Sequence, residues 1–163
     1  MSDQDNLSAL YGEDLSKFVV YGDLNCPFCF ALHERFSAWD LLTRVEWRLI
    51  VHAPELSEAA FSLEDESLLA NEVFAIHHRA PDVSVSLPKR RPGSSLATRL
   101  VMAVSQYASD KAPEFRLALY RALWQDGHDL SQPGVLETSL RKAGLEKFLD
   151  VDPKAETNNG NPM

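Results

Sequence analysis

An apolar run, Phe18-Val19-Val20-Tyr21, stops at Gly22-Asp23 and delivers the chain to Asn25-Cys26-Pro27-Phe28-Cys29-Phe30, where helical spacing begins. No other stretch restricts the fold as much. A short β-branched and aromatic run ended by Gly-Asp reads as a strand buried on both faces. Pro27 suits a first helical turn, where its missing N–H costs nothing. Phe28, Leu32, Phe36 and Trp39 recur at helical intervals and form the expected core face, while His33, Glu34, Arg35, Ser37 and Asp40 are expected to face solvent. This helix should end near Leu42. Val45, Trp47, Leu49 and Val51 then alternate with Glu46 and Arg48 in the pattern of a second strand. Strand, helix and strand together predict a right-handed βαβ crossover with parallel strands.

After Pro54 no further strand pattern occurs, and helices are expected. Ser62-Leu63-Glu64-Asp65 has capping-box spacing, and Leu69, Val73, Ile76 and Ala80 follow at helical intervals until Pro81. Residues 81 to 93, with Pro88, Pro92 and the triplet Lys89-Arg90-Arg91, read as an exposed loop and a solvated charge run. Ser94 or Ser95 is the expected cap of a helix carrying Leu96, Leu100, Ala103 and Tyr107 on one face. Pro113 opens another helix, with Phe115, Leu119 and Ala122 aligned and Gly127 as its left-handed stop. Ser131 and Pro133 start a last helix through Leu136, Leu140 and Ala143 to Gly144. The leading residues 1 to 16 carry no assigned chemistry, and the polar tail from Asp152 is expected to be poorly ordered.

Cys26 and Cys29 are the only cysteines of the 163 residues. Two thiols three positions apart at a helix start can close a small ring, and unsatisfied N-terminal amides there favour a thiolate. Thiol–disulfide exchange follows, with Cys26 as the reachable nucleophile and Cys29, one turn in and more buried, as the resolving thiol. Thiol pKa values at such positions fall to roughly 3.5–7.5 from about 8.5. Pro27 and Phe28, the intervening pair, are the expected tuners of the redox potential. The bland alternative is two inert buried thiols. A zinc site recruiting His33 lacks a second cysteine pair, and Phe30 stands where haem attachment needs a histidine. His33, His77, His78 and His128 read as ordinary surface or helix-end residues. His52, beside Pro54, is left open.

A 45% hydrophobic content supports one packed core, and the net charge of −8 argues against nucleic acid or anionic membrane as partner. No stretch approaches the ~20 apolar residues of a membrane span. The opening residues Met1 to Asn6 lack a basic and then apolar leader, so a cytoplasmic location is expected. No metal or other cofactor is called for.

The strand entering Cys-Pro-Phe-Cys, the βαβ unit and the helical block resemble the DsbA-like branch of the thioredoxin superfamily. Val45-Glu46-Trp47-Arg48 with His52-Ala53-Pro54, the stretch Leu119 to Leu130, Val135-Leu136 and Ala143-Gly144-Leu145 resemble its FrnE and 2-hydroxychromene-2-carboxylate isomerase subgroup. The resemblance implies an α/β fold: a thioredoxin-like βαβ part over 17–54, a helical insertion over 55–150, and a tail over 151–163. Family members then return into an antiparallel hairpin behind a Val-Pro or Thr-Pro step. That pattern is not visible after Gly144, and the expectation is that the C-terminal part of the thioredoxin fold is missing from this chain, or that a partner chain supplies strands. The function implied is a disulfide oxidoreductase acting on disulfide-bearing or dithiol proteins, with glutathione as a candidate redox partner that the Lys89 triplet could contact. Two rivals remain: a glutathione-dependent isomerase or kappa-class transferase, which uses a serine where this chain has Cys26, and a non-catalytic peptide-binding or chaperone-like module.

Overall fold

A computed structural model describes residues 18–52 and 62–150. The elements run β1 (Val19–Gly22), α1 (Pro27–Ala38), β2 (Glu46–Leu49), α2 (Leu63–Arg79), α3 (Ser95–Tyr107), α4 (Ala112–Trp124) and α5 (Pro133–Lys142), followed by a 3₁₀ turn, Glu146–Phe148. β1 and β2 pair in parallel, Val20 opposite Trp47 and Gly22 opposite Leu49, with α1 as the crossover. Among the described residues, the predicted βαβ unit is therefore present and the elements after it are helical. The leading residues, the 53–61 stretch that holds Ala53, Pro54 and the start of the expected insertion, and the tail lie outside the described residues.

β1 departs from its expected burial on both faces. Val20 and Gly22 turn inward with Trp47 and Leu49, but Val19 and Tyr21, the latter 57% exposed, share the open face with Glu46 and Arg48. Helices cover one face of this two-stranded sheet, so a continuous apolar run is buried only at alternate positions.

The face of α1 also differs. Pro27, Phe30, Ala31 and His33 are buried, whereas Phe28 and Leu32 are exposed and the helix stops at Ala38. The physical reason lies in α4, which packs along α1 and brings a polar and aromatic socket to His33. Arg116 Nε donates to His33 Nε2 at 2.8 Å, and the His33 ring lies 4.8 Å from Trp47 and 5.1 Å from Tyr120. A residue expected in water is thus 0% exposed. Local periodicity cannot register a partner 83 positions away.

The helical block follows its sequence closely. Ser62 and Asp65 form the reciprocal capping box, Leu69, Val73, Ile76 and Ala80 are buried, and Gly127 (φ 71°) and Gly144 (φ 67°) take the left-handed conformation that ends their helices. On α3 the buried set is Ala97, Thr98, Leu100, Val101 and Val104, so Tyr107 points to solvent instead of joining Leu100. α5 is entered through Gln132 at the cap position, while Ser131 folds back onto the Asp129 carboxylate. Ion pairs fasten α1 to its surroundings: Arg35 to Asp82, and Glu34 to Arg121 of α4.

Candidate functional site

Cys26 occupies the N-cap position of α1 in extended conformation (φ −103°, ψ 116°), and its Sγ accepts from the Cys29 amide at 3.4 Å. A cap residue normally offers oxygen to these orphan amides; here sulfur takes that place. The Cys26 thiol is lowered from 9.0 to about 6. The largest cause is the bond from the Cys29 thiol, opposed by burial, with the Cys29 and Phe28 amides also favouring the thiolate and the Glu72 charge disfavouring it. Cys29 moves the other way, well above the ordinary thiol value, because it is the donor to Cys26, is partly buried and faces the Cys26 charge. Both cysteines are free thiols and both are half-buried, so the expected contrast in burial is absent. Ionisation separates them. Pro27 sits buried at the first helical turn, and Phe28 stands 41% exposed beside the sulfur.

The three residues between β1 and Cys26 are held by side chains from the helical block. Tyr120 Oη donates to the Asp23 carbonyl at 3.2 Å, Trp124 Nε1 to the Leu24 carbonyl at 2.9 Å, and Arg91 Nη1 to the Asn25 carbonyl at 3.1 Å. The Asn25 amide group in turn donates to the Pro92 carbonyl. Every carbonyl of this connection is therefore fixed by α4 or by the loop after α2. A buried carbonyl left without a donor is costly, so these contacts define the position of Cys26. Tyr120 is buried enough that its phenol is held well above the ordinary value, as a neutral donor.

Asp23 is the polar centre of the site. Its carboxylate is 1% exposed and accepts from the Asn25 amide (3.1 Å), Ser94 Oγ (2.6 Å) and the His52 amide (2.9 Å), and it meets His52 Nδ1 at 2.7 Å. His52, at the exit of β2, is half-exposed and links this buried carboxylate to solvent. His52, left open by the sequence, is held by the Asp23 carboxylate, and the Asp23 backbone in turn bonds Cys29. Ser94 precedes α3 but caps nothing with its side chain, because its hydroxyl is given to Asp23. Arg91 also overturns its reading as part of an exposed charge run; it pairs with Glu72 of α2 and reaches Asn25, while Lys89 and Arg90 remain exposed. Asp23, Ser94, Tyr120 and Trp124 were not singled out from sequence as site residues. The available signal was a carboxylate three positions before a cysteine inside an otherwise apolar strand exit.

His33 is fully buried and is lowered to about 2, chiefly by burial and then by the charges of Arg116 and Arg121, so it remains neutral. His77 bonds the Val85 carbonyl. Among the described residues no group of three or more His, Cys, Asp and Glu could hold a metal ion, and no helix is long and apolar enough to cross a membrane.

No curated protein sequence matches this one. A crystal structure from Nitrosomonas europaea, described as a "putative protein disulfide isomerase", superposes with a TM-score of 0.63 over 83% of this chain and 69% of its own, at 15% identity. At that identity the likeness is one of fold. The model of the DSBA-like thioredoxin domain matches residues 17–161, a span that takes in the paired strands, the thiol-bearing helix and the helices that clamp its entry. With strand, Cys-Pro-Phe-Cys and helical block all inside that match, the chain belongs to the DSBA-like thioredoxin domain family.

Proposed function

We propose that the chain exchanges thiols and disulfides through Cys26 and Cys29. The observation that carries this reading is the Cys26 sulfur at the cap of α1, accepting from the Cys29 amide at 3.4 Å with the second thiol beside it, an arrangement that lowers Cys26 to about 6 and raises Cys29. The Cys26 thiolate attacks one sulfur of a partner disulfide, forming a mixed disulfide and releasing the first partner thiolate. Cys29 then loses its proton and attacks Cys26 Sγ, closing the internal disulfide and releasing the second partner thiolate. The partner gains the two electrons the protein loses; Cys29 gives up one proton and solvent supplies the second, since Cys26 enters as a thiolate, and the sequence runs in either direction according to potential.

Pro27 and Phe28 tune the pair, the first by opening the helix and the second through its amide and its exposed ring. The partners are disulfide-bearing or dithiol proteins, with glutathione as a small-thiol partner, and no added cofactor is needed. The presence of Cys29 favours exchange over a glutathione-dependent isomerase or transferase. Assignment to the FrnE and 2-hydroxychromene-2-carboxylate isomerase subgroup rests on the motifs around Trp47 and Trp124.

Equilibration in defined glutathione buffers, followed by alkylation of free thiols, tests this function. A single reversible transition between dithiol and disulfide is expected, lost in Cys26→Ser and in Cys29→Ser. Failure to form or reduce the internal disulfide would remove the proposal.

A further inference from the structure

A second polar feature lies away from the thiols. Leu42, Thr43 and Val45, between α1 and β2, form a cleft of about 370 Å³ with Ser105, Ser109 and the start of α4. Cys26 follows the end of β1, whereas this cleft adjoins the beginning of β2, so the two sit at opposite ends of the parallel pair. The 12 residues of α1 separate them by about 18 Å.

Arg116 lines the inner wall of the cleft and is 4% exposed. Its Nε donates to His33, its Cζ stands 5.4 Å from the centre of the Trp47 ring, and no carboxylate among the described residues pairs with it. Burial lowers it only to about 10, so it stays charged at neutral pH. His33 gives no compensation, since it is neutral and accepts through Nε2, while its buried Nδ1 has no partner among the described residues. A buried guanidinium facing a neutral imidazole is an uncompensated charge, which proteins seldom retain without an anion. α4 begins in the same cleft with Ala112 and Pro113, and Lys111 before it provides no side-chain cap. Its positive end adds to the field of Arg116.

We propose that this cleft binds a small organic monocarboxylate, its oxygens on Arg116 and its apolar body against Leu42, Val45 and Trp47. Thr43 and Ser109 bring further hydroxyl donors. Asp110, exposed at the same cleft, disfavours a dianion, which selects a carboxylate over phosphate. A cleft of this volume lies within the range of small-molecule sites, ~300–1,000 Å³.

The test is calorimetric titration of the whole chain with phenylacetate, hexanoate and inorganic phosphate. Saturable binding of the two carboxylates, and much weaker binding of phosphate, is expected. Arg116→Gln should weaken carboxylate binding about tenfold, the loss of one charge-assisted contact. Because that substitution also touches the core, Ser109→Trp serves as a second variant: it fills the mouth from an exposed position and should abolish binding without changing the alkylation rate of Cys26. Asp110→Asn should strengthen binding. No saturable binding to the parent chain, unchanged binding in Ser109→Trp, or phosphate binding as tight as phenylacetate overturns the site. So does an unliganded Asp110→Asn protein destabilised as much as Arg116→Gln, which would make Asp110 the counter-ion of Arg116. None of these outcomes bears on the thiols, so the two proposals stand or fall separately.

Discussion

Ser94 Oγ donates to the buried Asp23 carboxylate at 2.6 Å across 71 residues of chain, joining the entry of α3 to the turn that precedes Cys26. Asp23 satisfies its two oxygens with donors from three separate segments, its own turn, the exit of β2 and the start of α3. A carboxylate buried this deeply is stable only while those donors hold. Ser94→Ala removes one and leaves the charge short. We expect a loss of about 1–3 kcal/mol, read as a lower urea midpoint with an unchanged slope. A midpoint within error of the parent would mean that water replaces the hydroxyl at no cost.

The thiols make the stability of the reduced protein depend on pH. Cys26 is lowered in the folded state from 9.0 to about 6, so its contribution is complete above pH 9 and is lost as pH falls through 6. Cys29 is raised in the folded state, so its contribution is complete below the ordinary thiol value of 9.0 and declines above it. Between pH 6 and 9 only the first changes. The melting temperature of the dithiol form should therefore rise relative to that of the disulfide form across this window. Iodoacetamide should modify Cys26 with a midpoint near pH 6, and Cys29→Ala should move that midpoint upward by removing the side-chain donor. Parallel melting profiles for the two redox forms would contradict this assignment.

Glu72 acts on Cys26 from α2, and its charge is the one electrostatic partner that, beside burial, opposes the thiolate. Arg91 pairs with Glu72 and holds the Asn25 carbonyl as well. Glu72→Gln should shift the alkylation midpoint of Cys26 downward by a few tenths of a unit and make the disulfide more oxidising, since stabilising the thiolate stabilises the reduced form. Arg91→Met should do the reverse, leaving Glu72 unneutralised and Asn25 without its donor. Midpoints that move together in both variants would show that the pair acts through backbone position and not through charge.

The βαβ order, the capping box at Ser62, the glycine stops and the thiols at a helix start are all legible locally, because each depends on residues within one or two turns. Other features are decided by tertiary partners. His33 is polar within an amphipathic pattern, and only α4, through Arg116, makes its burial tolerable. Ser94 has the residue type and position of a helix cap, yet a carboxylate elsewhere in the chain accepts its proton. Arg91 belongs by composition to a solvated triplet, while its guanidinium bridges Glu72 and the carbonyl before Cys26. In each case the same side-chain chemistry serves either role, and the choice is made by what the fold brings near.

Gly22, the last residue of β1, faces the Trp47 indole so closely that a Cβ built there would stand 2.9 Å from Trp47 Cζ2. Trp47 is crowded on its other sides, since His33 and Phe36 meet it in T-shaped contacts at 4.8 and 6.1 Å and Arg116 lies over its ring. Gly22→Ala must therefore displace either the indole or the end of the strand that carries Asp23 and Cys26. Overpacking of this kind costs about 1–3 kcal/mol. The double variant Gly22→Ala, Trp47→Phe should recover part of that loss, because the smaller ring vacates the volume the methyl needs. Urea midpoints of the four proteins in the cycle give the coupling directly. Additive losses, with no recovery in the double variant, would show that the strand end yields instead of the indole, and Cys26 alkylation in Gly22→Ala should then slow as its cap geometry shifts.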